Sequence, residues 1–317
     1  MSDIIRVGIL RGGVGEYESS LESGSRLLRE FSEGKLPLVY KAKDMLLDRD
    51  GSLHIDGRPV ALSDVPLHID IVWNTLHGLF GEDGKIQQLL NSFSIPHTDS
   101  SPLVQASMFE RKLARELFRN AGGQIPQGFI VSPYREDIDG PLEEYLQKKT
   151  RDIFSKLSFP WVVKPLSRGN YATRIAHTYH DLHAIIVEYT QREEGFLVEE
   201  LLSGTVATCL VVDRFRDKSH YALSPVVMDG GEYTHQKLSI EEKHALQQEA
   251  EHIHRHIGLQ HFSQVDMIFH HKKGVHVLEV STIPRFTEHD CFEYMFEESG
   301  LTFGDFIDHV VQEVLDK

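Results

Sequence analysis

Cysteine is nearly absent. Cys209 and Cys291 are the only two in 317 residues, too few for a disulfide framework, so the chain reads as belonging to a reducing compartment, the cytoplasm. Long apolar runs are missing too: the longest, such as residues 69–73, have strand length, which excludes a membrane-spanning helix. Basic charge is in deficit, with 33 Lys and Arg against 48 Asp and Glu and a formal net charge of −15. A nucleic-acid backbone needs a basic surface, so DNA and RNA are excluded as partners. An anionic nucleotide can still enter a locally basic or metal-neutralised cleft. The start, Met1-Ser2-Asp3-Ile4-Ile5-Arg6, has no basic segment, apolar block or small-residue cleavage site, so no signal peptide is expected. Internal repeats and low-complexity tracts are lacking.

What remains is an ordinary globular composition, 40% hydrophobic and 26% charged, in a chain long enough for two or three packed units. Residues 4–10, 36–40 and 69–73 read as strands, with an amphipathic helix over 21–31 and another through Ile86, Leu89, Leu90 and Phe93. This is an open α/β pattern, in which ligands sit beyond the carboxyl ends of the strands. One helix is expected over 103–120, a strand near 128–131, helical spacing within 137–156 and another helix near 181–192. Strands follow at 161–163, 196–199, 207–213, 221–227, 264–269 and 275–280. Phe303, Phe306, Ile307, Val310, Val311, Val314 and Leu315 make one buried stripe on a final helix. The expected units are 1–102, 103–195 and 196–317.

Several residues stand where chemistry is possible. Lys164 closes an apolar strand and opens the loop Leu166-Ser167-Arg168-Gly169-Asn170, where an ammonium and backbone N–H groups can meet a phosphate; the bland alternative is a lysine capping a surface strand. Asp266 and Glu279 interrupt two adjacent apolar strands, and acids there are costly unless paired or coordinated. If those strands form a hairpin, both carboxylates reach one side and suit Mg2+ with nucleotide phosphates. Glu16 and His77 fall in loops after amino-terminal strands, whereas Glu82 and Asp83 fit better as helix-start caps. His252 and His256 have the i, i+4 spacing of a helical metal pair, with His254 between them. A polar helix face is the simpler reading, since no third ligand is evident. Cys291 follows Asp290 without an activating base, so a buried or incidental thiol is the default.

The order of these pieces resembles a known family. Asn74-Thr75-Leu76-His77-Gly78-Leu79-Phe80-Gly81-Glu82-Asp83-Gly84-Lys85-Ile86-Gln87 is similar to the amino-terminal signature of D-alanine–D-alanine ligases. Trp161-Val162-Val163-Lys164-Pro165, Leu197-Val198-Glu199-Glu200 and Leu278-Glu279-Val280-Ser281-Thr282-Ile283-Pro284 look like its later motifs, in order, over essentially the whole chain. The resemblance implies an α/β ATP-grasp fold: an amino-terminal open parallel α/β domain and two α+β subdomains clasping ATP. It implies a cytoplasmic ligase of peptidoglycan (cell-wall) biosynthesis that activates a carboxylate as an acyl phosphate, with ATP and Mg2+ (or Mn2+), for attack by an amine. Its partners would be small-molecule amino acids, with D-alanine the default, and a homodimer is expected by resemblance alone.

Carried over by position, Glu16 orients the amine of the first D-alanine and His77 lines its pocket. Arg111, in place of a lysine, and Lys164 meet phosphates. Glu199 accepts from the adenine amino group, Glu200 flanks it, and the backbone at Leu201 and Leu202 reads the ring edge. Asp266, Glu279 and Ser281 hold the metal, Ser281 replacing an asparagine. Asn170 stands for a loop serine near the acceptor, and Val206 for an acid on the ribose. Gln264 replaces an arginine that stabilises the oxyanion, a donor worth about 3–4 kcal/mol. Arg285 replaces a glycine and would return that charge. Glu288-His289-Asp290 takes the place of the motif receiving the second D-alanine. The lid, residues 229–238, is short, with Lys237 or Tyr233 as its only substitutes for a lysine–tyrosine pair. These departures keep two alternatives open: a ligase repurposed for another amino acid or acceptor, and a non-catalytic nucleotide-binding relative.

Overall fold

The computed structural model describes residues 4–33, 36–37, 39–167, 173–192, 194–230, 232–234, 238–287 and 290–316. Three sheets organise it. The first is built from β1 (Ile5–Gly12), β2 (Tyr40–Leu47), β3 (Leu53–Ile55), β4 (Arg58–Pro59) and β5 (Ile71–Asn74), with α1 (Tyr17–Glu33) between β1 and β2 and α2 (Lys85–Ser92) after β5. Its order is β4-β3-β2-β1-β5, with β1 parallel to both β2 and β5. β5 is buried throughout, as a strand covered on both faces must be. The strand expected at 36–40 instead starts at Tyr40 and runs through Lys41, Lys43 and Asp44. Those charges hid it, and the sheet accommodates them in pairs: Arg11 on Asp44 at 2.7 Å and Lys43 on Asp56 at 2.5 Å.

Two helices, α3 (Pro102–Phe109) and α4 (Arg111–Asn120), replace the single helix expected over 103–120. The break is Glu110, which is extended and bridges to Ser167. Ser101 caps α3 through the Val104 N–H, and Pro102 occupies the first turn, where a missing N–H is harmless. Next come β6 (Gly128–Val131), α5 (Glu136–Asp139), α6 (Leu142–Lys156), β7 (Trp161–Pro165), β8 (Arg174–Ala176), α7 (Tyr179–Gln191) and β9 (Phe196–Glu200). The helical stretch expected through 137–156 is divided by Gly140, at φ 74°, and Pro141. The second sheet runs β6-β9-β7-β8, all antiparallel. β9, just past the boundary expected at 195, pairs within this sheet. Ile153 of α6 and Ile185 and Ile186 of α7 close its core against Trp161, Val163 and Val198.

The third sheet contains β10 (Thr205–Asp213), β11 (His220–Ala222), β12 (Val226–Asp229), β13 (Glu232–Thr234), β14 (Phe262–His270) and β15 (Gly274–Ser281). Helix α8 (Ile240–Ile257) follows β13, and α9 (Cys291–Ser299) and α10 (Phe303–Leu315) end the chain. The order is β13-β12-β10-β14-β15, with β11 beside β10. Alternation sends Cys209, Val211, Val265 and Val280 towards α8 and α4, and Leu210, Val212 and Phe262 the other way. That second face meets Val7, Ile9 and Trp73 of the first sheet in one core with Phe286, Phe292, Phe296 and the stripe of α10. Trp73 stacks on Phe262 at 5.8 Å and meets Phe306 edge-on at 5.9 Å. Among the described residues, no helix is long and apolar enough to cross a membrane.

Candidate active site

β14 and β15 are consecutive antiparallel strands, so the hairpin condition set by the sequence is met. Asp266 lies directly opposite Glu279, and Gln264 opposite Ser281, with Val265 and Val280 between them turned into the core. The period of two therefore places two carboxylates, an amide and a hydroxyl on one face. A break in register follows Asp266, a bulge that re-aims the strand beside the site. Gln264 Nε2 donates to Asp266 Oδ1 at 3.0 Å. Its amide thus steadies that carboxylate in the cavity wall.

The hairpin face forms one wall of a cavity of about 260 Å3. Glu16, His77 and Glu82 come to it from the loops beyond β1 and β5, Arg111 from the start of α4, and Tyr233, Arg285 and Asp290 from the third unit. Parallel pairing of β1 and β5 brings the first three together: the Glu16 N–H donates to the His77 carbonyl at 3.0 Å, and the Gly78 N–H to Glu82 Oε2 at 3.0 Å. Glu82 therefore braces this turn and lines the cavity, rather than capping α2 as expected. Asp83 does sit at the helix start, accepting from the Lys85 N–H at 3.2 Å. A Cβ on Gly81 would lie 2.2 Å from the Leu76 carbonyl oxygen, so the turn requires glycine there.

His77 is buried, with Nε2 3.0 Å from Ser23 Oγ and a second hydrogen bond to the Ile283 backbone. Burial, reinforced by the Arg285 guanidinium, pushes its pKa down to about 3, so it is a neutral strut between the first and third units. Arg285 forms an ion pair with Glu16. Asp290 caps α9, accepting the Cys291 N–H at 2.7 Å. The Cys291 thiol is pushed well up by burial and by the neighbouring Asp290, which leaves it inert as a nucleophile. Burial also raises the phenol of Tyr233 far above its usual range, keeping it neutral in the cavity wall.

A second, smaller pocket of about 20 Å3 lies between the second and third sheets and shares Arg111 and Glu279 with the first. Lys164 and Glu199 line it. Lys164 is buried, not a surface cap, and its Nζ is 2.8 Å from Glu199 Oε2. The other Glu199 oxygen pairs with Arg115, whose Nη2 donates to the Pro126 carbonyl at 2.8 Å. Sequence reasoning missed Arg115, whose burial against Glu199 appears only in the packed chain. Glu200 accepts from the Gln127 N–H at 3.3 Å, and the Leu201 N–H donates to the Pro160 carbonyl at 2.9 Å. Leu202 follows in the chain beyond the end of this strand. Asn170, Lys237, Glu288 and His289 lie outside the described residues.

Two observations test whether these residues fit a nucleotide and a dication. Arg111 donates to Pro165 O at 2.9 Å and approaches Glu279 Oε1 at 3.5 Å, while its buried Nε has no partner among the described residues. A buried N–H of a guanidinium left open between two pockets suits an anionic oxygen. Asp266, Glu279 and Ser281 are hard oxygen donors, the set that Mg2+ takes together with phosphate oxygens. Both groups fit.

A family model described as D-ala D-ala ligase C-terminus matches residues 127–312. A D-alanine–D-alanine ligase from Fervidobacterium nodosum is 25% identical, over 98% of this chain and 99% of that protein. Among solved structures, the D-alanine–D-alanine ligase from Coxiella burnetii superposes with a TM-score of 0.81 at 20% identity, covering 100% of this chain and 95% of that one. The Bacillus anthracis D-alanine–D-alanine ligase complexed with ATP gives 0.75 at 20% identity, covering 98% and 97%. The expected α/β ATP-grasp architecture is borne out by these neighbours. With its matched segment covering more than half of the sequence, the chain belongs to the D-alanine–D-alanine ligase family.

Proposed function

We propose that this protein is an ATP- and Mg2+-dependent carboxylate–amine ligase that joins two D-alanines through an acyl phosphate. The observation that carries the reading is the cross-strand set Asp266, Glu279 and Ser281 facing Arg111 and Glu16 in one cavity. Mg2+ (or Mn2+), held by Asp266, Glu279 and Ser281, supplies neutralisation of phosphate charge. Gln264 keeps Asp266 in place. Arg111 offers its open Nε to the transferring phosphate, and Lys164 meets phosphate from the opposite sheet. Glu199 and the backbone of Leu201 and Leu202 receive the base. Because the Leu201 N–H is committed to Pro160, the donor for the ring edge falls to Leu202. Arg115 holds Glu199 from behind, so its carboxylate stays oriented.

On the amino-acid side, Glu16 takes the first substrate's amine and neutral His77 shapes its pocket. Arg285 brings a positive charge for a substrate carboxylate, with Asp290 on the acceptor side. The reactive acyl phosphate must be kept from water. In the short segment between β12 and α8, Tyr233 reaches the cavity among the described residues.

One observation favours a second reading, a relative that takes a different acceptor. Arg285 is already paired with Glu16, and Asp290 places a carboxylate at the start of α9 on the acceptor side. Phosphate release from Mg·ATP separates the two. D-alanine-dependent release supports the dipeptide ligase, and release only with another amino acid moves the assignment to the second reading. No release with any amino acid overturns both.

A further inference from the structure

Behind the third sheet, three side chains from three elements converge away from the ligase cavity. Asp213 ends β10, His220 opens β11 opposite it in register, and His254 lies on the inward face of α8. His220 Nδ1 is 2.7 Å and His254 Nε2 is 2.9 Å from the same Asp213 Oδ1. One donor atom from each lies within 4.8 Å of the others. The far sides of two are fixed: His254 Nδ1 is 2.8 Å from Ser263 Oγ, and Asp213 Oδ2 accepts the His261 N–H at 2.9 Å. Outer partners of this kind orient metal ligands and set the imidazole tautomer. His220 borders a solvent-reaching pocket of about 340 Å3, lined also by Ser219, Gln248 and Glu251.

We propose that Asp213, His220 and His254 form a binding site for a transition-metal dication of the zinc type, separate from the magnesium position at Asp266 and Glu279. Two imidazoles and a carboxylate form a donor set suited to zinc, whereas magnesium prefers oxygen alone. Zinc bonds of about 2.0–2.2 Å place tetrahedral ligand atoms roughly 3.3 Å apart. The two separations from Asp213 Oδ1 must therefore open by about half an ångström, which the half-buried His220 at a strand start permits. The remaining position faces the pocket, where water or Glu251, one turn before His254, completes the set. The ion would join β10, β11 and α8. Asp213's carbonyl also accepts from His309 Nε2 at 2.7 Å, which extends the brace to α10.

The test uses untagged full-length protein in excess Mg2+, with Zn2+ alone as the probe and metal counted after dialysis. About one zinc per chain is expected in the wild type, with at least tenfold weaker retention in His220→Ala. Retention should be unchanged in His256→Ala, which removes an exposed imidazole of the same helix. Absence of retained zinc in the wild type overturns the site, as does equal retention in wild type and His220→Ala. An equal loss in His256→Ala also overturns it, assigning the metal to surface histidines. Should His220→Ala fail to fold, Co2+ on the wild type decides. The intense visible bands of a four- or five-coordinate ion support the site, and the pale spectrum of a hydrated one refutes it. Phosphate release by His220→Ala should match the wild type, so this outcome is independent of the ligase reading.

Discussion

Asp99 lies fully buried beneath the loop that carries His77, with Asn74 Nδ2 at 3.0 Å and Gln87 Nε2 at 3.1 Å from its Oδ2. Burial pushes its carboxyl up to about 7, against the lowering effect of those two donors, and the Glu82 charge adds to the rise. The folded state thus keeps a proton that the unfolded chain releases near pH 4. From about pH 4 to pH 7 the native state binds more protons, so this group's contribution to stability falls as pH rises and levels off above 7. Asp99→Asn should lose that slope and melt higher than the wild type at pH 8; an unchanged pH profile of the melting midpoint would refute the protonated carboxyl. Arg285 poses the opposite case, a half-exposed charge whose proposed role is to meet substrate. Its pair with Glu16 should contribute under about 1 kcal/mol to stability. Arg285→Ala is therefore expected to leave the melting midpoint nearly unmoved. The KM for the carboxylate substrate should rise roughly tenfold or more, as loss of a charged hydrogen bond of about 1.5–3 kcal/mol implies. An unchanged KM removes Arg285 from the substrate site. Arg285 was visible in the sequence through its place in a motif, whereas Asp99 and Arg115 were not, because burial and pairing are properties of the packed chain.

Among the elements, the β14–β15 hairpin was the most legible, since an acid standing alone in an apolar strand is costly unless a partner or a cation meets it. Its register places Asp266 and Glu279 face to face, and like charges directly opposite destabilise a sheet unless a cation or donors intervene. Glu279→Gln should therefore be neutral or slightly stabilising in metal-free buffer. Mg2+-dependent phosphate release should fall by about 100-fold or more, beyond the roughly 10–100-fold that loss of an outer partner costs, because Glu279 is proposed to touch the metal itself. A large loss of stability in metal-free buffer would instead make Glu279 structural, through Arg111. Other elements were less readable. The break between α3 and α4 was hidden because Glu110 is helix-compatible, and only its bridge to Ser167 draws it out. The short strands β3, β4, β8 and β13 carry too few residues to show a period. In α8 the spacing drew attention to His252 and His256, yet Leu246, Ala250 and Ile253 mark the buried stripe and His254 falls on it. Following the stripe rather than the i, i+4 pair finds the inward histidine.

At the scale of the whole molecule, the first and third sheets share one core, whereas the second sheet has its own. Trp73, Phe262, Phe286 and Phe306 pack across the first boundary. Across the other, the links seen at the ligand pockets are polar: Arg111 to Pro165, Glu110 to Ser167, and Arg115 to Glu199. Apolar contact at that scale makes two layers unfold together, while a few polar links let a unit open alone. Three units were the expectation from the sequence, and this asymmetry was not legible there, because strand-length apolar runs do not reveal which sheets share a core. Amides of β7 and α7 are therefore expected to exchange with solvent through a lower-energy opening than those of β1, β5, β10 and β14. Two of the proposed nucleotide contacts, Lys164 and Glu199, sit on the second sheet and face Arg111 and Glu279. Mg·ADP should then bind only the closed arrangement and raise protection in β7 and α7 selectively, by mass action. Hydrogen exchange followed by mass spectrometry reads both effects. A single shared opening energy without nucleotide would show the second sheet to be integral to the common core. Equal protection of every element on adding Mg·ADP would place the nucleotide elsewhere than between these sheets.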